Sequence, residues 1–483
     1  MNSFSAISQG DCRVSHFLGC RMAMVAVIAM LSFAHDLTAV KAQTTEKPNI
    51  VFIMADDLGY GDVGCFGQKV IQTPMLDKLA AEGMKFTQCY AGATVCAPSR
   101  CALMTGLHCG HARVRGNALV PLEPEDVTVA EVLKKAGYRT GLVGKWGLGE
   151  AESSGVPNRQ GFDYFFGYLN QKHAHNYYPD HLWKNEEKFP LEGNVVSDGV
   201  ATQKTQYSHD LFMEEALAFL EKNQKETFFL YLAMTIPHAN NEAGKAGMEV
   251  PSDEPYSKQD WPQPQKNHAA MITRMDAGVG RVMQKLKDLG LDEKTVVFFT
   301  SDNGPHKEGG GDPEFFHSSG PYTGYKRSLT DGGIRVPTMV RWPGKIQPGV
   351  SAQPWAFWDF LPTAAQLAGA ETPKNLDGIS IAPTLLGQKG QAKHPDFYWE
   401  FHERGFLQAA LTGDGQWKGI RSNLGKLQLF NLKEDVPEKN NVAQAHPEIA
   451  SRLAQFLDDS RTESKEFPIK LPDNKTGKKA NTK

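Results

Sequence analysis

Three uninterrupted apolar runs constrain this chain more than any other feature: Asn49 to Ala55 (NIVFIMA), Thr227 to Thr235 (TFFLYLAMT) and Thr295 to Thr300 (TVVFFT). A strand with one face in water alternates apolar and polar residues, so runs without alternation suit strands buried on both faces. Helical signals fall between them. Thr73-Pro74 opens a helix that stops at Gly83, with proline at the first helical position and glycine just past the last. Thr128 and Glu131 form a capping-box pattern ahead of Val129, Val132, Leu133 and Ala136, which share one face, and Gly137 ends that helix. Arg139 to Val143 reads as the next strand, and Lys266 to Leu289 as a long helix with Met271, Met275, Val279, Val282 and Leu286 on one side. Strands alternating with helices predict an α/β fold built on a mixed, mostly parallel sheet covered by helices.

Other stretches have a different texture. Gly149 to Gln206 is loop-like, poor in periodicity and rich in aromatics and histidines, and Ala243 to Gln265 is rich in proline, glycine and charge. After Leu386-Gly387, Phe397 to His402, Phe406 to Leu411, Gly415 to Arg421 and Leu427 to Leu432 read as short strands, followed by a helix from Pro447 to Ser460. This predicts a small C-terminal antiparallel α+β domain. At 483 residues the chain accommodates about two to four domains, or one large α/β domain with an appendage. The boundaries expected are 1–42 for a leader, 46–388 for the main domain, 389–465 for the antiparallel domain and 466–483 for a polar tail.

The leader reads as a secretory signal peptide, because Arg13 and Arg21 precede the apolar run Met22 to Phe33 and then Val40-Lys41-Ala42. That run is too short for a spanning helix of ~20 residues, and no later segment is apolar for long enough. The expected protein is therefore exported, periplasmic or secreted, with cleavage after Ala42 and no membrane span. Of the seven cysteines, Cys12 and Cys20 leave with the leader, and Cys65, Cys89, Cys96, Cys101 and Cys109 remain, an odd number. Fifty-two Lys and Arg against 55 Asp and Glu give a net charge of −3, so no global basic field exists to hold a nucleic acid. A local cationic pocket remains compatible with that balance.

Polar residues gather where the apolar strands end: Asp56-Asp57, Lys145, Pro237-His238 and Asp302-Asn303. Open α/β sheets bind ligands at that edge. Three carboxylates and a carboxamide offer hard oxygen donors for Ca²⁺ or Mg²⁺, the alternative for adjacent acids being helix capping. The segment Cys96-Ala-Pro-Ser-Arg100-Cys101-Ala-Leu-Met-Thr-Gly106 frames a short helix, with Cys96 just before its N-terminus, where unpaired N–H groups favour an anion. Arg100 adds a fixed charge. Two other readings of Cys96 stay open at this point: a disulfide, and a zinc site with Cys101, His108, Cys109 and His111, whose spacing fits no standard pairing.

Cys-x-Pro-Ser-Arg followed by x-x-Leu-x-Thr-Gly resembles the signature of the type I, formylglycine-dependent sulfatases. The resemblance extends to ADDLGYGD at Ala55 to Asp62, GKWGLG at Gly144 to Gly149, SDNG at Ser301 to Gly304 and GGIRVP at Gly332 to Pro337. It implies an alkaline-phosphatase-like fold with a smaller C-terminal domain, and a Cys96 oxidised to Cα-formylglycine by a transient partner, the formylglycine-generating enzyme, which leaves four thiols. It further implies that Asp56, Asp57, Asp302, Asn303 and the modified Cys96 hold the cation, normally calcium with magnesium as the alternative. By the same resemblance Arg100 and Lys145 orient and acidify the hydrated aldehyde. Lys326 and His238 would hold the sulfate, with His238 protonating the leaving oxygen. The resemblance also implies the route: the hydrate attacks sulfur through one hydroxyl and expels the alcohol, and its second hydroxyl then collapses to the aldehyde and releases sulfate.

The sequence departs from the family at one point, since the usual Gly-Lys-Trp-His-Leu-Gly carries Gly147 in place of histidine. His175 is the expected replacement, with His173 as second choice, and His306 and His317 are candidates to line the pocket. Tyr177, Tyr178, Trp183, Trp261 and His402 are candidates to meet a sugar ring. The expected substrate is a sulfated small molecule or glycan. A phosphomonoester or phosphonate hydrolase and a catalytically impaired sugar-sulfate-binding protein are the alternatives.

Overall fold

The computed structural model describes residues 47–403 and 405–471, so the predicted leader, with Cys12 and Cys20, and the tail from 472 onward lie outside the described residues. The three apolar runs become adjacent parallel strands, in the order Thr295–Ser301, Asn49–Ala55, Phe228–Ala233. Arg139–Lys145 and Tyr164–Tyr168 extend the parallel set. All residues of the first three are buried, which accounts for the missing alternation. On one side Thr338–Arg341 pairs antiparallel with Thr295–Ser301, and Met84–Phe86 and Gly349–Ser351 lie beyond it. On the other side His181–Lys184 and Glu187–Pro190 close a ten-stranded sheet.

The stretch 149–206 is thus more ordered than its sequence suggests. It contributes three strands of the large sheet and a hairpin of Val195–Ser197 with Val200–Gln203. The strand signals there are short or missing. Tyr164–Tyr168 is mostly buried and does not alternate, while Glu187–Pro190 is an exposed edge strand with no apolar face.

Successive residues of Asn49–Ala55 point into opposite layers. Val51 and Ile53 join the core that holds Met271, Met275 and Val279 of the helix Gln263–Asp288, together with Phe212 and Ala216 of Ser208–Lys222. Ile50, Phe52 and Met54 face Cys101 and Leu103 of Cys96–Thr105, Val132 and Leu133 of Val129–Lys135, and Phe360 of Phe360–Ala368. The Phe52 and Phe360 rings lie 4.4 Å apart. Each such side chain contributes about 1.5–3 kcal/mol by leaving water. The predicted capping box is present: Glu131 N donates to Thr128 Oγ1 at 3.2 Å, and Thr128 N donates to Glu131 Oε2 at 2.8 Å.

A four-stranded antiparallel sheet forms the C-terminal part, in the order Asp396–Phe401, Leu407–Thr412, Trp417–Ser422, Gln428–Asn431. One face is covered by Leu453 and Leu457 of the helix Pro447–Asp459. Residues of the other, including Phe397 and Trp399, pack against Tyr90, Val95, Ala102 and Trp358, so this sheet backs the helix that begins at Cys96. Lys418 anchors the contact. Its Nζ lies 2.6 Å from Asp331 Oδ1 and 3.0 Å from Glu438 Oε1, and Asp331 N donates to Glu438 Oε2 at 2.6 Å.

Replacing Lys418 by Met leaves Glu438 buried without its cation and Asp331 with Arg335 alone, whose Nη1 lies 2.9 Å from Oδ2, and should cost about 3–5 kcal/mol in denaturant unfolding. Burial and the neighbouring Asp331 push Glu438 up to about 7 from its usual 4.5, against the pull of Lys418. The folded chain therefore keeps a proton that the unfolded chain has released, and folding stability falls as pH rises between those values. Glu438→Gln removes this term, so the Tm of the variant relative to the parent should rise from pH 5 to pH 8.

Candidate active site

The C-terminal ends of four parallel strands deliver the polar residues to one place. Asp56 and Asp57 follow Asn49–Ala55, Lys145 ends Arg139–Lys145, His238 follows Phe228–Ala233, and Asp302 and Asn303 follow Thr295–Ser301. Asp57 adopts a left-handed φ of 64°, a conformation that Asp tolerates better than most residues. Its N–H donates to Asp302 Oδ1 at 3.1 Å, tying two strand ends together. Cys96 is the first residue of its helix rather than the residue before it, and its thiol donates to Asp56 Oδ1 at 3.3 Å.

Three buried cations meet these three buried carboxylates. Lys145 Nζ is 2.6 Å from Asp56 Oδ2, and Lys326 Nζ is 2.8 Å from Asp57 Oδ2. Arg100 Nη2 is 2.7 Å from Asp302 Oδ2 and 3.4 Å from Asp56 Oδ2, and Nη1 donates to the Lys145 carbonyl at 2.8 Å. Burial alone would raise Asp56, but Lys145 foremost, with Arg100 and Lys326, holds it well below the usual carboxylate range. Asp302 goes the other way, pushed up to about 6 by burial and by Asp56. Burial, Asp302 and Asp56 hold the Cys96 thiol well above its ordinary value.

His238 donates from Nδ1 to the Ala239 carbonyl at 2.6 Å, leaving Nε2 to accept from Lys326 Nζ at 3.0 Å. Burial and Lys326 keep this ring neutral, well below its usual value. Tyr177 fixes the backbone beneath it, since its buried hydroxyl reaches the Thr235 carbonyl at 3.0 Å and also the His238 carbonyl.

The residues present fit a hard divalent cation. Ligand atoms of Asp56, Asp57, Cys96 and His238 all lie within 4.8 Å of one another. Asn303 Nδ2 donates to Asp57 Oδ1 at 2.6 Å, while its buried Oδ1 has no partner among the described residues. The orphaned amide oxygen beside these carboxylates is an open hard donor for such an ion.

The fold thus brings together Asp56, Asp57, Cys96, Arg100, Lys145, His238, Asp302, Asn303 and Lys326. His175 joins them, its ring stacked 4.9 Å from that of His238 and its Nδ1 3.0 Å from Glu242 Oε2. Burial and Lys145 lower it. His306 is also near, 5.9 Å from His238 between rings, but it serves the backbone: Nε2 meets the Pro237 carbonyl and Nδ1 accepts from Glu308 N. His317 is exposed, and His173 packs against Tyr168 and His181 instead.

Tyr177 and Tyr178 are buried framework residues, so neither offers a face to a sugar; Trp183, Trp261 and His402 remain half-buried. All five cysteines among the described residues are free, which removes the disulfide reading of Cys96. The zinc reading fails as well, because His108 and His111 turn to Asp377, at 3.5 and 2.9 Å, and not to a cysteine. Sequence reasoning missed Glu308, 3.5 Å from Lys326, and Ser99, whose hydroxyl donates to the Asp302 carbonyl at 2.5 Å. Glu308 follows Asn303 by only five residues in a glycine-rich loop, which is a usable signal; Ser99 lies inside the Cys96 motif itself.

Comparison with known proteins agrees with this geometry. The family model described as Sulfatase matches residues 48–370, and the one described as N-sulphoglucosamine sulphohydrolase, C-terminal, matches residues 322–463. The chain is 30% identical to N-acetylgalactosamine-6-O-sulfatase of Bacteroides thetaiotaomicron, over 87% of this chain and 94% of that one. It is 35% identical to human arylsulfatase A, over 85% and 87% respectively. The crystal structure of Ps i-CgsB in complex with k-i-k-neocarrahexaose superimposes with a TM-score of 0.72 at 29% identity, covering 85% of this chain and 92% of that one.

Tyr177→Phe leaves the His238 carbonyl without its buried hydroxyl donor, while the Thr235 carbonyl keeps the bond from His238 N at 3.1 Å. It should destabilise the protein by about 1–3 kcal/mol in urea unfolding, with little change in the slope of the transition.

Proposed function

Because the chain belongs to the sulfatase family, it is an enzyme that hydrolyses sulfate esters, and we propose that it cleaves a carbohydrate sulfate monoester at the pocket beside Cys96. The observation that carries this reading is the balance of buried charge: three carboxylates against Arg100, Lys145 and Lys326, arranged around the Cys96 thiol. Asp56, Asp57, Asp302 and Asn303 are the residues that would hold a divalent cation, calcium or magnesium. A bound cation would supply Lewis acidity toward a sulfuryl oxygen, and a formylglycine made from Cys96 would supply the nucleophilic hydroxyl.

The chain's own groups divide the remaining work. Arg100 and Lys145 both reach Asp56 Oδ2 and hold the acid ionised, while its Oδ1 meets residue 96, which fixes the direction from which the nucleophile approaches. Lys326 faces the same pocket with its ammonium kept charged by Asp57 despite burial, a fixed positive partner for the sulfate. His238, held by Tyr177 and the Ala239 carbonyl, keeps Nε2 on Lys326, and the pair is placed to pass a proton to the departing alkoxide. Likeness to the N-acetylgalactosamine-6-O-sulfatase and to the carrahexaose complex supports a sugar as the carrier of the sulfate. A catalytic unit over 46–388 with a backing unit over 389–465, an exported chain and a formylglycine-generating enzyme as transient partner complete the proposal.

The test is turnover of 4-nitrophenyl sulfate and 4-nitrophenyl phosphate by protein purified from a host that makes formylglycine. Sulfate should be preferred in kcat/KM by about 100-fold or more, Lys326→Ala should lose about 10²–10³ in kcat, and Cys96→Ala should be inactive. Chelation with EDTA should abolish turnover and Ca²⁺ should restore it. Faster phosphate cleavage would make the protein a phosphoryl hydrolase, and sulfate binding without turnover would make it a binding protein.

A further inference from the structure

Position 147 continues a register. Lys145 pairs with Tyr168 between the strands Arg139–Lys145 and Tyr164–Tyr168, and past their ends Trp146 N donates to the Tyr168 carbonyl and Gly147 N to the Leu169 carbonyl, each at 2.9 Å. That register carries Gln171 to the side of Gly147. The glycine has a φ of +83°, a conformation that side chains rarely adopt, and a Cβ added there would lie 2.1 Å from Gln171 Nε2 and 3.8 Å from Arg100 Cδ. The Gln171 amide therefore stands where a side chain at 147 would begin, next to the arginine that binds Asp56 and Asp302. His175, the replacement expected from sequence, is engaged by Glu242 and stacked on His238 instead.

The second observation is what Gln171 lacks. Its residue is 8% exposed, yet neither Nε2 nor Oε1 has a hydrogen-bond partner among the described residues. Burying an amide with both ends unpaired is unfavourable, and native proteins rarely leave one so unless a ligand or water completes it. Arg100 does not supply the partner, because its donors go to Asp302, Asp56 and the Lys145 carbonyl.

We propose that Gln171 binds the substrate, its Nε2–H donating to a sulfuryl oxygen from the space that the missing side chain at Gly147 leaves open. This rests on the sulfatase reading of the pocket and adds a residue to it. A carboxamide donates a hydrogen bond without carrying charge and takes up no proton at ordinary pH. Gln171 accordingly holds the sulfate in place while Lys145, Lys326 and His238 handle charge and protons.

Gln171→Leu keeps most of the volume and removes the donor, and Gln171→Glu keeps the shape but puts an acceptor with negative charge against the sulfate. Both are made in the active protein and in a Cys96→Ala background, where binding of inorganic sulfate is followed by calorimetry apart from turnover. Gln171→Leu should lower kcat/KM on 4-nitrophenyl sulfate and weaken sulfate binding, each by about tenfold or more, and Gln171→Glu should do worse. The Tm of Gln171→Leu should equal or exceed that of the parent, because no protein hydrogen bond is lost and an unpaired buried amide is removed. Sulfate affinity and kcat/KM within twofold of the parent would overturn the proposal, as would a fall in Tm with sulfate affinity unchanged. If the parent itself cleaves no sulfate ester, the failure belongs to the functional reading and not to Gln171.

Discussion

The need to bury three carboxylates and three cations together governs this structure. Any one of Asp56, Asp57, Asp302, Arg100, Lys145 or Lys326 placed alone in the interior would be prohibitive, and each is tolerated because an opposite charge lies within 2.6 to 2.8 Å of it or of its partner. Such pairing needs precise placement from distant parts of the chain. The parallel sheet provides it, since four strands end at the same edge and their ends are pinned to one another, as by Asp57 N on Asp302. The set forms one network: Arg100 touches two of the acids as well as the Lys145 carbonyl.

The C-terminal sheet belongs to the same logic. The helix Cys96–Thr105 presents a cysteine and an arginine to the pocket, so its position must be fixed from behind. Phe397 and Trp399 pack in one cluster with Val95 and Ala102, and Trp399 Nε1 donates to the Ala91 carbonyl at 2.8 Å. Lys418 binds Asp331, which opens the turn leading on to the strand Thr338–Arg341. A separate antiparallel sheet thereby bears on where residue 96 sits without contributing a group to the charge network.

Much of this is legible in the sequence because both signals are local. Buried strands declare themselves as runs such as NIVFIMA, and acids that follow such a run must lie at the strand end, which is enough to place Asp56, Asp57, Asp302 and Asn303. What escapes the sequence is decided by neighbours remote along the chain. Glu187–Pro190 is a strand only because it pairs at the sheet edge, and its residues carry no pattern of their own. Tyr177 reads as a sugar platform and is a buried prop under His238. The gap at Gly147 is visible, but its neighbour is not, because Gln171 comes beside it only through the register of two parallel strands, and the histidine-rich sequence around it points to His175.

The chemistry proposed for the pocket depends on Cys96 being the precursor of the nucleophile. Peptide mass spectrometry of protein from its native host, across Ala91 to Arg100, tests this most directly. Conversion of the thiol to an aldehyde predicts a peptide about 18 Da lighter than the encoded one. An unmodified thiol in that material, in protein that still hydrolyses sulfate esters, would contradict it.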